Sequence, residues 1–522
     1  MRVLLCALAV CLMGAQASVP SSPPPTIHLE SALRAYLATI ANLHVRDVRR
    51  YEERGTIVGL GSTGTFHNVR DGDRERSDEQ IGIQTETELR DGDRIYEQNP
   101  NGDVRLLAGI SLRRSITEHD ISSGDFARNP SYDTMLGLGR LADGRLVWII
   151  RVAPPGGETY HVGLDARTFL VDEIAYVNDD TIHTVDSSDY HVVHGLLVPY
   201  TQVESDGDPS LDITSRITSV VIDPTIAQDA FAPLVSTTVD ASQPVSVPLR
   251  SYAGLLFVAV RIHGITANFL LDSGSQGIVI SPTLARRLNL VPQGRLQVSG
   301  IARTAANGIV ALGALHIGSV RVPVHVASVV DLSTVINQGF PVDGVLGYPL
   351  FAEAEVRIDP DLHELTIAKP GMLPVRGSPV TIDTDRELPE MLATLNGVQG
   401  RFYVDTGDTA ELLVFQHFLD RHPGLVSTVG KAQVLERGIG GWNYATKVIV
   451  DQLYFGPFRM FHRFASVVLA KHGAFADQND AGNIGYATLR NFVMTFDLAN
   501  RVLYLDRARD FDDGRYRPLN QP

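Results

Sequence analysis

A four-residue pattern occurs twice in this chain, each time at the end of an apolar run. Leu271-Asp272-Ser273-Gly274 and Val404-Asp405-Thr406-Gly407 both place a hydroxyl residue and a glycine directly after an aspartate. Burying a carboxylate behind an apolar strand costs free energy. A chain that does this twice in the same local context is therefore expected to bring the two carboxylates together for chemistry.

The similarity between the two segments extends well beyond the pattern itself. A glycine precedes each aspartate by eight residues, at Gly264 and at Gly397. Two further glycines follow in each copy, both pairs 29 residues apart: Gly318 and Gly347, then Gly456 and Gly485. The second copy is five residues longer, and the spacing places its insertion around 415–432. The pattern predicts an internal duplication of roughly 125 residues per copy. A repeat array without an active site would need more than two copies to stack.

These residues resemble the retropepsin-like aspartic proteinases, in the bacterial form that carries two lobes on one chain. In that family each lobe supplies a D-[ST]-G loop, a glycine-containing hairpin called the flap, and a later apolar-apolar-Gly turn. The resemblance covers about residues 245–508. It implies a mainly β fold with two barrel lobes related by a pseudo-twofold.

The resemblance also implies a role for particular residues. It makes Asp272 and Asp405 the catalytic pair. The residues that would support the pair are Ser273, Gly274, Thr406 and Gly407. The supporting turns would contain Gly347 and Gly485. The candidate flaps lie around Gly300 to Gly308 and around Gly438, Gly440 and Trp442.

The chemistry of such a pair follows from its residue types. Two carboxyl groups at hydrogen-bonding distance cannot both ionise easily, so they share one proton. The ionised partner can act as a general base on a water molecule, while the protonated partner polarises the scissile carbonyl. We expect no metal and no cofactor. Because duplication supplies both halves, dimerisation is not required to build the site.

Two positions depart from the family pattern, both in the second copy. A small residue usually follows the D-[ST]-G, and Ser275 fits this pattern whereas Asp408 does not. A third carboxylate beside the pair could raise its proton affinity or form an ion pair elsewhere. Asn483 replaces an apolar residue in the second supporting turn. Both differences bear on the expected pH optimum and activity.

The region from about 26 to 234 is predicted to be a separate, antiparallel β-rich domain with one helix. Apolar residues at spacings of mostly three and four predict an amphipathic helix over Leu29–Leu43. Turn dipeptides then recur between short alternating runs, at Asp71-Gly72, Asp91-Gly92, Asn101-Gly102, Asp143-Gly144 and Asp206-Gly207.

The layout of this region, with the run Tyr190–Tyr200, resembles the half-open barrels of the periplasmic lipoprotein-sorting family. That resemblance implies a concave apolar face able to hold a lipid, a peptide or another domain. The alternative is a packing module that only orients the peptidase lobes.

Three other features in this region are interpreted as structural. Gly59–Gly64 matches G-x-G-x-x-G but precedes a strand pattern, so we predict a hairpin rather than a nucleotide site. His183, His191 and His194 could meet as metal ligands, but isolated histidines on strands are usually surface or hydrogen-bonded residues. Ser62 does not lie in a G-x-S-x-G elbow, and no serine hydrolase order is visible.

The N-terminus predicts export. Met1-Arg2, an apolar run and Ala15-Gln16-Ala17 together resemble a signal peptide over 1–17. Its cleavage would remove both cysteines, Cys6 and Cys11, which suits a bacterial periplasm or medium. Lipidation at Cys11 is disfavoured by the bulky Val10.

No other stretch predicts a membrane span, and a net charge of −15 with no dense basic run argues against nucleic acid as a partner. The predicted lobes are 245–370 and 376–508, followed by a tail over 509–522 with little structure. Ser236–Pro248 and Lys369–Pro379 are predicted linkers.

The sequence therefore predicts an exported aspartic endopeptidase that acts on peptides or proteins. One alternative is a binding protein on the same duplicated scaffold, which clamps a peptide or glycan without cutting it. Another makes the N-terminal domain primary, as a carrier of a lipid or lipoprotein.

Overall fold

The computed structural model describes residues 27–40, 48–178, 181–301, 304–336, 340–470 and 473–516. The predicted signal peptide, both cysteines and the proline-rich segment Pro20–Pro25 lie outside these residues. Among these residues the fold is mainly β, with 52% strand and 14% helix, so the predicted fold class is confirmed. In the ranges described, no helix combines the length and apolarity needed to cross a bilayer.

The chain forms two compact units. The first consists of the described residues within Met1–Ile57, Thr65–Glu75 and Ile110–Ala230. The second consists of the described residues within Val58–Gly64, Arg76–Gly109 and Phe231–Pro522. Two segments that the sequence interpretation assigned to the N-terminal domain thus belong to the same unit as the two lobes. The predicted lobe boundaries stay a prediction.

Among the described residues up to 222, the elements are strands and three α-helices. In chain order they are α1 (Leu29–Thr39), β1 (Arg50–Gly59), β2 (Ser62–Asp71), β3 (Arg74–Ile81), β4 (Gln84–Asp91), β5 (Arg94–Gln98), β6 (Val104–Leu106), α2 (Gly109–Ser123), α3 (Asp125–Arg128), β7 (Thr134–Arg140), β8 (Leu146–Val152), β9 (Tyr160–Asp165), β10 (Val171–Asn178), β11 (Thr181–Val193), β12 (Leu196–Ser205) and β13 (Ile213–Ile222).

The first unit is built on an antiparallel sheet with the strand order β2-β1-β13-β12-β11-β10-β9-β8-β7. Helix α1 buries Leu33 and Tyr36 in a core that includes Phe126 of α3 and Ile150 of β8. The amphipathic helix is thus confirmed over Leu29–Thr39. Its predicted continuation to Leu43 lies outside the described residues.

The predicted hairpins are found at strand connections. Each of the five turn dipeptides lies at the junction of two consecutive strands among β2 to β13. In the G-x-G-x-x-G run, Leu60 and Gly61 have φ values of 52° and 73° and connect β1 to β2. This backbone is that of a tight hairpin turn, and the run is followed by a strand rather than a helix, as predicted.

The second unit contains two series of elements that repeat one another. The first series is β14 (Val245–Pro248), β15 (Arg250–Tyr252), β16 (Leu255–Ile262), β17 (Ile265–Leu271), β18 (Val279–Ile280), α4 (Pro282–Arg287), β19 (Arg295–Ser299), β20 (Thr304–Ile317), β21 (Val320–Val329), β22 (Gly344–Leu346), α5 (Tyr348–Glu353), β23 (Glu355–Asp359) and β24 (Glu364–Ala368). We call this series lobe 1.

The second series, lobe 2, follows in the same order. Its elements are β25 (Ser378–Asp383), β26 (Glu390–Leu395), β27 (Val398–Asp405), β28 (Leu412–Phe415), α6 (Gln416–Arg421), β29 (Ser427–Gly438), β30 (Gly441–Phe455), β31 (Phe458–Val468), β32 (Gly482–Gly485), α7 (Tyr486–Leu489), β33 (Phe492–Asp497) and β34 (Val502–Arg507).

Strand pairing repeats as well as strand order. In lobe 1, β17 pairs in parallel with β22 and β18 in parallel with β21. In lobe 2, β27 and β28 make the same parallel pairs with β32 and β31. The two lobes join in a six-strand run with the order β14-β24-β23-β33-β34-β25. This run is symmetric about the β23–β33 pair, as a pseudo-twofold requires.

The longer second copy differs from the first in the strand before the second candidate flap. Strand β29 has 12 residues where β19 has five. Its pairing with β30 changes register between Thr428 and Gln433. The predicted insertion region thus overlaps an irregularity in this strand.

Two predicted unstructured segments contain more structure than expected. The last four residues of the predicted linker Ser236–Pro248 form β14, which pairs with β24. The described part of the tail has no strand or helix after Arg507, yet its backbone is bonded to lobe 2. The Phe461 N–H donates to the Asp513 carbonyl at 2.6 Å, and the Asp512 N–H donates to Asn491 Oδ1 at 2.9 Å.

Candidate active site

Each motif aspartate lies at the end of a central strand of its lobe. Asp272 follows β17, and its N–H donates to the Leu346 carbonyl at 3.0 Å. Asp405 is the last residue of β27 and pairs with Gly485. The supporting turns lie directly behind the loops, because a Cβ added to Gly347 would lie 2.3 Å from the Ser275 carbonyl oxygen. Only glycine permits that approach.

The two motif loops exchange hydrogen bonds through their hydroxyl residues. The Ser273 N–H donates to Thr406 Oγ1 and the Thr406 N–H donates to Ser273 Oγ, both at 3.0 Å. Each hydroxyl then donates across the lobes, Ser273 Oγ to the Val404 carbonyl at 2.6 Å and Thr406 Oγ1 to the Leu271 carbonyl at 3.0 Å. Both side chains are completely buried. Four bonds therefore hold the loops in one mutual position.

The glycine after each hydroxyl residue lies against the opposite carboxyl group. A Cβ on Gly274 would lie 2.6 Å from both carboxyl oxygens of Asp405. A Cβ on Gly407 would lie 2.4 Å from Asp272 Oδ1. The glycine N–H groups also bond the carboxyl groups of their own loops, Gly274 to Asp272 Oδ1 and Gly407 to Asp405 Oδ1, each at 2.9 Å. This leaves the two carboxyl groups side by side.

The paired carboxyl groups have raised proton affinity. Burial is the largest cause and raises the pKa of both Asp272 and Asp405. Each carboxyl group also opposes ionisation of the other, because two negative charges would then lie side by side. Such a pair retains one proton well above the pH at which an isolated aspartate ionises.

Asn483 makes a contact that the sequence did not reveal. Its Nδ2 donates to Asp405 Oδ2 at 2.9 Å, and its side chain is buried. The sequence marked Asn483 only as a departure from an apolar pattern. Asn483 contacts Asp405 because it lies on β32, which pairs in parallel with β27, the strand that ends at Asp405.

Asp408 is half-buried beside the pair. Its Oδ1 accepts the Ala410 N–H at 2.8 Å. Burial, and then the Asp405 carboxylate, raises the pKa of Asp408 to about 8. Behind it, Lys447 Nζ donates to Ser466 Oγ at 2.6 Å and to Glu436 Oε1 at 3.4 Å. No local signal in the sequence connects Lys447 to Asp408, because the two lie on separate elements 39 residues apart.

The candidate flaps are hairpins whose tips touch. Gly300 follows β19, and Gly438 and Gly440 lie at the turn between β29 and β30. The Ile301 N–H donates to the Ile439 carbonyl at 2.8 Å. Gly308 lies within β20, opposite Arg295. The range predicted for the first flap therefore includes the first residues of β20.

Each flap tip is also bonded to a loop of the opposite lobe. Thr334 Oγ1, in lobe 1, donates to the Gly438 carbonyl at 2.9 Å. The Ala474 N–H, in lobe 2, donates to the Gly300 carbonyl at 3.0 Å. Ile439 packs against a lobe 1 apolar cluster that contains Val345. The remaining predicted flap residue, Trp442, is half exposed and packs edge to face on Tyr444.

The three histidines singled out in the sequence do not converge. His183 stacks on Tyr176, and His191 bonds Asp189 at 2.9 Å. Both lie on β11, where eight residues span about 26 Å, and His194 lies in the turn after that strand. Within the described ranges, no group of three or more His, Cys, Asp or Glu residues is arranged to hold a metal ion.

A known protein family matches part of lobe 1. Residues 258–350 match the family model described as Aspartyl protease. The match runs from β16 to α5 and contains Asp272, so lobe 1 is aspartyl-protease-like, as the sequence resemblance implied. A search of curated protein sequences found no match.

Several solved structures are similar to parts of the chain. An aspartic proteinase from Irpex lacteus is 14% identical, with a TM-score of 0.35, over 51% of this chain and 98% of that chain. A putative outer membrane lipoprotein-sorting protein domain from Vibrio parahaemolyticus is 10% identical, with a TM-score of 0.29, over 39% and 97%. A LolA superfamily protein from Nitrosomonas europaea is 11% identical, with a TM-score of 0.29, over 40% and 98%.

Proposed function

We propose that this protein is an exported aspartic endopeptidase in which Asp272 and Asp405 activate a water molecule for peptide hydrolysis. The observation that carries the proposal is the side-by-side placement of the two half-buried carboxyl groups, on loops that exchange four hydrogen bonds. The aspartyl protease match over 258–350 supports the same reaction class.

The proposed reaction needs one proton on the pair. The ionised carboxylate takes a proton from water, whose oxygen then attacks the scissile carbonyl carbon. The other carboxyl group gives its proton to the carbonyl oxygen. The resulting diol collapses as the amide nitrogen receives a proton and the C–N bond breaks. The raised pKa values of both groups keep the singly protonated pair populated toward neutral pH.

The proposal is tested by digestion of casein or a peptide library between pH 3 and pH 7. We expect Asp272→Asn and Asp405→Asn each to lower kcat by at least about a thousandfold, because neither amide can complete the proton transfers. Asp510→Asn, a change at an exposed carboxylate of the same unit, is the control and should cut like the wild type.

Cleavage that survives either active-site substitution would show that the pair is assigned wrongly. A folded wild-type protein that binds peptides but cuts none between pH 3 and pH 7 would favour the binding-protein alternative. Export is tested separately, by N-terminal sequencing of protein secreted from a bacterial host, with cleavage after Ala17 expected.

A further inference from the structure

The two carboxyl groups of the pair receive unequal numbers of hydrogen bonds. Among the described residues, Asp272 accepts one bond from a donor outside the pair, the Gly274 N–H at 2.9 Å. Asp405 accepts the equivalent bond from Gly407 and a second from the Asn483 side chain on its other oxygen, also at 2.9 Å.

The duplication supplies an internal comparison for this asymmetry. In lobe 1, Val345 pairs with Leu270, the second residue before Asp272. In lobe 2, Asn483 pairs with Tyr403, the second residue before Asp405. Val345 and Asn483 are therefore equivalent positions, and only the second carries a donor.

Folding stability does not account for an asparagine at position 483. Asn483 is 4% exposed, and within the described part of the chain its Oδ1 has no hydrogen-bond partner. A buried amide oxygen without a partner costs free energy that valine would not. The one bond that the side chain makes is to Asp405, which points to a role in the chemistry of the pair.

A donor to a carboxylate stabilises its ionised form. The charged groups around Asp405 are Asp272, with which it shares a proton, and Asp408, with Glu436 and Lys447 behind Asp408. Asp408 opposes ionisation of the pair only when it is itself ionised. Over the acidic range, the unequal donors therefore decide which member of the pair carries the charge.

We infer that Asn483 is a positioning residue that holds Asp405 in its ionised form, so that Asp405 is the base and Asp272 the acid of the pair. This inference rests on the proposed function and assigns its two roles. Asp405 takes the proton from water, and Asp272 gives its proton to the carbonyl oxygen. On collapse, Asp405 returns its proton to the amide nitrogen, while Asp272 regains a proton from a diol hydroxyl.

The test is the pH dependence of kcat/KM for Asn483→Val, which copies the residue of lobe 1. Loss of the donor should raise the acidic pKa of the profile by about one pH unit, because a bond to a charged group is removed. The alkaline limb reports loss of the proton from Asp272. It should stay in place, because Asp405 is ionised both before and after that proton leaves. KM should change less than twofold.

The matched control is Val345→Asn, which introduces a donor at the equivalent position beside Asp272. It should lower the acidic pKa or leave it unchanged, in contrast to Asn483→Val. Should Asn483→Val fail to fold, Asn483→Leu, of nearly the same shape as asparagine, replaces it. A variant whose kcat falls equally at every pH, with the acidic limb unmoved, would overturn the inference while leaving the endopeptidase intact.

A second readout does not depend on catalysis. Because the donor stabilises ionised Asp405, Asn483→Val should lower the free energy of unfolding more at pH 7 than at pH 3. Equal losses at the two pH values would overturn the inference. If the wild type cuts no substrate, the proposed function fails, and this measurement still decides whether Asn483 stabilises the charge.

Discussion

At the scale of single residues, the hydroxyls of the two motif loops set the geometry of the pair. Thr406 Oγ1 accepts the Ser273 N–H and donates to the Leu271 carbonyl. Thr406→Val would leave both buried groups without partners, at a cost of about 2–4 kcal/mol in the free energy of unfolding. We expect this loss in urea unfolding, together with a fall in kcat of at least tenfold.

Thr406→Ser is the matched control, because it keeps the hydroxyl and removes only a methyl group. It should retain most of the activity and lose about 1 kcal/mol or less. Equal effects of the valine and serine variants would show that packing at Thr406, rather than its hydrogen bonds, positions the loops.

Asp408 supports a second prediction, on the alkaline side of the pH profile. The charge on Asp408 raises the pKa of Asp272, so ionisation of Asp408 and loss of the shared proton oppose each other. Asp408→Asn removes this charge, so the shared proton should leave at lower pH. We expect the alkaline limb of kcat/KM to move down by about half to one pH unit, with little change in the acidic limb.

Asp408→Ser, which copies Ser275 of lobe 1, should shift the same limb in the same direction. A shift of the acidic limb in both variants, with the alkaline limb fixed, would contradict the assignment of this charge. The sequence identified Asp408 and Asn483 as departures from the family pattern. It left open whether Asp408 raises the proton affinity of the pair or forms an ion pair elsewhere, and it gave no partner for Asn483, because both outcomes depend on tertiary placement.

At the scale of elements, the two flaps act as one closed structure. The tips are bonded to each other, and each is bonded to the opposite lobe through Thr334 or Ala474. Asn443 Nδ2 adds a bond to the Ile301 carbonyl. Opening the flaps therefore requires several bonds to break together.

Asn443→Ala removes one of these bonds and should weaken the closed state by about 1 kcal/mol. We expect amide hydrogen exchange at the flap tips, over 298–301 and 436–442, to become about fivefold faster. Trp442→Ala is the control, because that side chain is half exposed and packs on Tyr444 of its own strand. Faster exchange in the control alone would show that the aromatic pair, not the tip bonds, holds the flaps.

The sequence predicted elements well where periodicity or repetition marked them. The helix Leu29–Thr39, the five glycine turns and the repeated order of strands in the two lobes all had such a signal. Strand β14 had none, because four residues at the end of a polar linker form a strand only when β24 offers them an edge. The contact between the flap tips likewise depends on tertiary placement that no local pattern encodes.

At the scale of the whole molecule, segment 76–109 shows what the sequence could not give. Its turn signals predicted hairpins in an N-terminal domain, and the hairpins are present. The segment nevertheless belongs to the unit that contains the lobes. Asn101 Oδ1 accepts the N–H groups of His325 and Val326 at 3.0 Å, and Asn99 bonds Glu387. Hairpin patterns fix local pairing but carry no information about tertiary contacts such as these.

Asp103 of this segment lies close enough to Glu353, in the interior of the second unit, to affect its ionisation. Glu353 is completely buried, and within the described ranges neither of its carboxyl oxygens has a hydrogen-bond partner. Burial, and then the charge of Asp103 in segment 76–109, raises the pKa of Glu353 to about 9. The pKa of Asp103 is itself raised to about 7, chiefly by burial. The folded unit therefore holds protons that the unfolded chain releases near pH 4.

Stability should accordingly fall as pH rises. A group with a raised pKa stabilises the folded state fully below its unfolded value of 4.5 and loses this contribution up to about 9. For Glu353 the expected slope is about −1.4 kcal/mol in unfolding free energy per pH unit across that window. Glu353→Gln removes this titration, so urea unfolding at pH 5, 7 and 9 should show a shallower decline than in the wild type. Asp510→Asn, at an exposed position, should follow the wild type, and a Glu353→Gln decline as steep as the wild type's would contradict the prediction.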